Sequence, residues 1–132
     1  MARRLLLVDD EPYVGLVLQP RLEAAGFDVV LARTLAAALA AIAGSLPDAL
    51  LLDLHLPDGS GVDLLRDLRR QAGGAALPVV VLTAEGEDRV LAELGRLGAA
   101  VLSKPFSPSK LTAQLAEMLG DPGPAESAES AT

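Results

Sequence analysis

The chain has no cysteine and no tryptophan, and only one histidine, one tyrosine and two phenylalanines in 132 residues. Without cysteine there is no disulfide and no thiolate metal site, which is compatible with a reducing compartment. With so few rings, the core has to be assembled from Ala, Leu and Val, since hydrophobic residues still make up 51% of the chain. No apolar run approaches the roughly 20 residues of a membrane span. The first residues enter a strand-like pattern without the cleavage region of a signal peptide, so a cytoplasmic protein is expected. Also missing is a basic stripe with interleaved aromatics. The formal charge is -7, and three acids, Asp121, Glu126 and Glu129, lie beyond Gly120; the rest carries 15 acids against 11 bases, or -4. That balance argues against a nucleic-acid surface. The phosphate-cradling pattern G-x-x-x-x-G-K-[ST] occurs nowhere, and Gly59-Ser60-Gly61 is followed by Leu64 where a dinucleotide loop needs its third glycine.

What is present is alternation. Leu5 to Val8 is an apolar run closed by Asp9-Asp10-Glu11-Pro12, a strand and a turn. Val14, Val17, Leu18, Leu22 and Ala25 then share one helical face, with Pro20 inside the window and Gly26 as the stop. Asp28 to Leu31 reads as a second strand. Thr34 caps an Ala-rich helix running to about Ala43, and Gly44 to Asp48 turn the chain into the run ending at Asp53. Ser60 caps a helix with Val62, Leu65 and Leu68 inward and Arg66, Asp67, Arg69 and Arg70 facing water, ended by Gly73 and Gly74. Leu77 to Leu82 is a fourth apolar run. Val90, Leu91, Leu94 and Leu97 mark a helix stopped by Gly98, Ala99 to Leu102 is a fifth strand, and Leu111, Leu115, Met118 and Leu119 line a last helix. Strands that are apolar throughout and alternate with helices predict an α/β fold, a five-stranded parallel sheet covered on both faces by five helices. One domain over 1–119 is expected, with a disordered tail or linker over 120–132.

The unusual polar residues all follow strands. Asp9, Asp10 and Glu11 follow the first, Asp53 the third, Thr83 the fourth and Lys104 the fifth. Singly, each has an ordinary reading as turn, helix cap or solvated charge. Jointly they line the C-terminal edge of the sheet, where such folds bind ligands. Carboxylates brought together there raise one another's pKa unless a cation compensates. Mg2+ fits best, because it takes one or two carboxylates and keeps positions for phosphoryl oxygens. Asp53 can then attack phosphorus to form an acyl phosphate, while Lys104 and the Thr83 hydroxyl neutralise the transferred group. His55 reads as a solvent-facing loop residue.

Asp9-Asp10, Asp53 with Leu56-Pro57 and Gly61, Thr83-Ala84 and Lys104-Pro105-Phe106, in this order and spacing, resemble the receiver domain of bacterial two-component response regulators from about Arg3 to Leu119. The resemblance implies a flavodoxin-like, doubly wound sheet of strand order 2-1-3-4-5. It implies Asp53 as phosphoacceptor and Asp10 as direct Mg2+ ligand, with Asp9 supporting the metal largely through water and the main-chain carbonyl of His55 completing the coordination. Thr83, the main-chain amide of Ala84 and Lys104 would hold the phosphoryl oxygens, and the Lys104-Pro105 bond would be cis. The implied partner is a sensor histidine kinase or histidine phosphotransfer protein, and the domain would catalyse only its own phosphorylation and dephosphorylation. Its usual docking or weak homodimer surface would be the face of the fourth helix, fifth strand and fifth helix. Switching in the family couples Thr83 to an aromatic residue where this chain has Val101, so a smaller or differently placed response is expected. His55 and Glu85 take the positions that tune access of water to the acyl phosphate. The alternative is a receiver-fold module that docks without phosphorylation. A haloacid-dehalogenase-like hydrolase, the chemical rival, wants a second Asp where this chain has His55.

Overall fold

Each apolar run becomes a strand of one parallel sheet. The computed structural model describes residues 3–71, 73–83, 88–104 and 107–119. In chain order the elements are β1 (Arg3–Val8), α1 (Pro12–Ala24), β2 (Phe27–Ala32), α2 (Leu35–Gly44), β3 (Ala49–Asp53), α3 (Gly61–Arg70), β4 (Val79–Thr83), α4 (Asp88–Arg96), β5 (Ala100–Ser103) and α5 (Pro108–Leu119). The sheet order is β2-β1-β3-β4-β5, all parallel. Between β3 and α3 lies a short antiparallel ladder, His55–Leu56 against Gly59–Ser60, too brief for any periodicity to announce it. The segment 120–132 lies outside the described residues.

β3 and β4 are buried at every position, as central parallel strands with both faces covered must be. Alternate side chains feed two cores. Leu6, Val8, Leu50, Leu52, Val79 and Val81 pack beneath α2, α3 and α4. Leu5, Leu7, Ala49, Leu51, Val80 and Leu82 pack beneath α1 and α5. Each fully buried Leu or Val contributes about 1.5–3 kcal/mol relative to exposure. The scarcity of rings is thus offset by many small aliphatic contacts. No helix among the described residues is long and apolar enough to cross a membrane.

Three local outcomes differ from the sequence pattern or extend it. α1 runs straight through Pro20, because both Pro20 and Leu16, whose carbonyl loses its helical donor, lie on the exposed side. α2 is capped twice: Thr34 Oγ1 accepts from the Ala37 amide at 3.0 Å, and Asp58, far along the chain, accepts from Leu35 at 2.8 Å and Ala36 at 3.0 Å. The third outcome corrects the expectation that Arg66 and Arg69 face water. Arg69 is half-buried, donating from Nε to the Leu97 carbonyl and from Nη1 to those of Gly74 and Leu77, each at 2.7 Å, and from Nη2 to Gly98 at 3.3 Å. The physical reason lies in the two turns it bridges, the one after α4 and the one before β4, whose irregular backbone offers carbonyls for the five donors of a guanidinium. Arg66 turns to the same neighbour: its Nε and Nη2 both reach Glu93 Oε2 at 2.6 Å. Asp67 and Arg70 do remain exposed.

Candidate functional site

The strand register builds the site. Val8 pairs with Leu52, so Asp9 and Asp53 leave β1 and β3 at the same level. Asp53 pairs with Leu82 and Thr83 with Ser103, which carries the same rim across β4 to the start of Lys104. Gly61 closes the exit of β3: a Cβ there would lie 2.5 Å from the Asp53 carbonyl oxygen and 3.1 Å from Leu54 Cα. Its amide donates to the Leu54 carbonyl at 2.9 Å, which seats α3 directly behind the acid.

One carboxylate oxygen from each of Asp9, Asp10 and Asp53 lies within 4.8 Å of the others. Asp9 and Asp53 are buried, at 1% and 5% exposure, while Asp10 is open to solvent. Main-chain amides orient the buried pair: Glu11 donates to Asp9 Oδ1 at 2.9 Å and His55 to Asp53 Oδ1 at 3.3 Å. Lys104 reaches across from the end of β5. Its Nζ is 2.8 Å from Glu11 Oε1, 3.2 Å from Asp9 Oδ2 and 3.6 Å from Asp53 Oδ2.

Burial pushes the Asp9 carboxyl above its ordinary range, and the Asp53 charge adds to the rise, against the downward pull of the Glu11 amide and Lys104. Burial alone would lower the Lys104 pKa. The hydrogen bond to Glu11 and the charges of Asp9 and Asp53 outweigh it, so the ammonium is held above its usual value. Asp9, Asp10, Glu11 and Asp53 set four carboxylates against one Lys104 ammonium. A pocket with excess negative charge and only oxygen donors suits a hard cation.

The other expected residues fall as follows. Thr83 is buried at the end of β4, and its carbonyl accepts from the Lys104 amide at 2.9 Å. His55 is exposed, in the short ladder after β3. Val101 is half-buried in β5 and packs on the core shared with α4. Ala84, Glu85, Pro105 and Phe106 lie outside the described residues, and with them the expected amide donor and cis bond. Sequence reasoning did not find the roles of Glu11 and Asp58. Glu11 stood next to the acidic pair, but its partner is 93 positions away. Asp58 has a capping residue's chemistry, yet it caps a helix that precedes it in the chain.

The sequence pattern of the response regulator receiver domain family matches residues 5–116. The phosphate regulon transcriptional regulatory protein PhoB of Pseudomonas aeruginosa is 36% identical over 128 residues, covering 96% of this chain and 56% of its own. The KDP operon transcriptional regulatory protein KdpE of Escherichia coli is 40% identical over 111 residues, covering 83% of this chain and 48% of its own. The chain thus spans about half the length of these curated relatives. A CheY-like response regulator receiver domain protein from Methanospirillum hungatei matches in structure with a TM-score of 0.85 at 26% identity, covering 91% of this chain and 95% of that one. Sheet order, the acidic cluster at its C-terminal rim and the family match over residues 5–116 agree: the chain belongs to the response regulator receiver domains of two-component systems.

Proposed function

We propose that the domain accepts a phosphoryl group on Asp53 from the phosphohistidine of a histidine kinase or histidine phosphotransfer protein, in a reaction that requires Mg2+. The observation that carries this reading is the Asp9, Asp10 and Asp53 cluster with the Lys104 ammonium 3.6 Å from the Asp53 carboxylate. Asp9, Asp10, Asp53 and the main-chain carbonyl of His55 would hold the ion. When bound, Mg2+ neutralises the crowded carboxylates and draws charge from the phosphoryl oxygens.

Asp53 offers a carboxylate oxygen, oriented by the His55 amide, as the nucleophile. The oxygen–phosphorus bond forms as the phosphorus–nitrogen bond of the donor histidine breaks, and the electron pair leaves on the imidazole nitrogen. Lys104 supplies positive charge beside the new acyl phosphate, and the Thr83 hydroxyl and, as the family resemblance implies, the Ala84 amide would serve as hydrogen-bond donors to its oxygens. Slow attack of water on phosphorus releases phosphate and restores the Asp53 carboxylate. Receiver domains interact with histidine kinases, and action in the cytoplasm goes with this family.

Incubation with acetyl phosphate and Mg2+, followed by intact mass measurement, tests the reading. Gain of one phosphoryl group is expected, and none for Asp53→Asn or in excess chelator. A wild-type protein that never gains mass would favour the docking module that works without phosphorylation, a reading to which Val101, in place of a ring, lends its one specific observation.

A further inference from the structure

We infer that Glu11 is a positioning residue for Lys104, holding its ammonium on the β1 side of the pocket so that a phosphoryl group on Asp53 has to compete for it. This rests on the phosphoacceptor role proposed for Asp53. Among the three carboxylates that Lys104 meets, Glu11 is nearest at 2.8 Å, Asp9 follows at 3.2 Å, and Asp53 is last at 3.6 Å, beyond hydrogen-bonding distance. The amine that an acyl phosphate needs is therefore spent mainly on a carboxylate outside the acceptor and metal set.

Glu11 is the N-cap residue of α1, a position where the short side chains of Ser, Thr, Asp and Asn accept from the free amides of the first turn. Here it makes no such cap, and its carboxylate turns to Lys104 instead. Its own amide is tied to Asp9 Oδ1, which fixes the backbone from which it reaches. The Glu11 side chain is 54% exposed and that of Lys104 18%, so the contact can be given up without opening the core.

Beryllofluoride, a phosphoryl mimic, gives the test when titrated at saturating Mg2+. Glu11→Gln is expected to bind it roughly two- to fivefold more tightly than wild type, the scale of one partly exposed ion pair. Glu11→Asp, which keeps the charge but shortens the reach, should behave like Glu11→Gln. In a Lys104→Ala background the effect of Glu11→Gln should vanish. Wild-type affinity in Glu11→Gln, wild-type affinity in Glu11→Asp, or an effect that survives loss of Lys104 would each overturn the inference while leaving the acceptor role intact. A wild-type protein that binds no beryllofluoride and accepts no phosphoryl group removes the proposed function, and this inference with it.

Discussion

Asp9 is a carboxylate that the fold holds against its preference. Burial and the neighbouring Asp53 favour its protonated form, so at neutral pH the ionised group costs stability as long as no cation is bound. Asp9→Asn keeps the oxygen that accepts from Glu11 and discards the charge. It is expected to raise the stability of the protein in chelator, measured by urea unfolding, and to reduce the further gain on adding Mg2+. A loss of stability in chelator would contradict this account. Asp58 behaves in the opposite sense, because the Leu35 and Ala36 amides favour its ionised form and hold its carboxyl below the ordinary range. Its contribution is therefore present at neutral pH and lost as the pH falls through the lowered pKa. Asp58→Asn should be less stable than wild type near neutrality, with the difference shrinking in acid. That Asp53 mattered was legible from a lone carboxylate ending an apolar run. Lys104 was legible too, from its place after the fifth strand, but its pairing with Glu11 was not, since those two side chains meet only after the sheet is assembled.

At the scale of elements, the strands were readable because buried parallel strands are apolar without interruption, and the helices because their apolar faces recur at helical spacing. Arg69 was misjudged because charge alone assigns it to water, and a half-buried guanidinium serving loop carbonyls leaves no mark in the pattern. Arg69→Ala would take their side-chain donor from four carbonyls, of which Gly74 keeps the Leu77 amide at 3.3 Å and the exposed Gly98 can turn to water, while Leu77 and Leu97 lose most. A loss of about 2–4 kcal/mol in urea unfolding is expected. Arg69→Lys should recover little, because an ammonium has no planar fork with which to serve carbonyls on two sides. β5 carries a separate expectation. With Val101 half-buried and no ring to reorient, beryllofluoride should shift the Val101 amide resonance less than those of Arg89 and Val90 at the start of α4. Larger changes centred on Val101 would count against that.

For the whole molecule, site and stability are linked by mass action. An ion that binds the folded acidic cluster and not the unfolded chain adds about 2.7 kcal/mol when present at one hundred times its dissociation constant. Thermal unfolding should therefore move upward with Mg2+ concentration in the wild type and respond far less in Asp53→Asn. The Arg69 bonds have a further mechanical consequence. They fasten the end of α4 farthest from Asp53, while its first turn lies on the same side of the sheet as Thr83. A nine-residue rod of roughly 13 Å, pinned at its far end, acts as a lever, and a tilt of about 10° sweeps the near tip through roughly 2 Å. With Glu93 also held by Arg66, the fastened part is the second half of α4, so a small push arising beside the acceptor would be delivered as an arc of the tip and not as a slide of the whole rod.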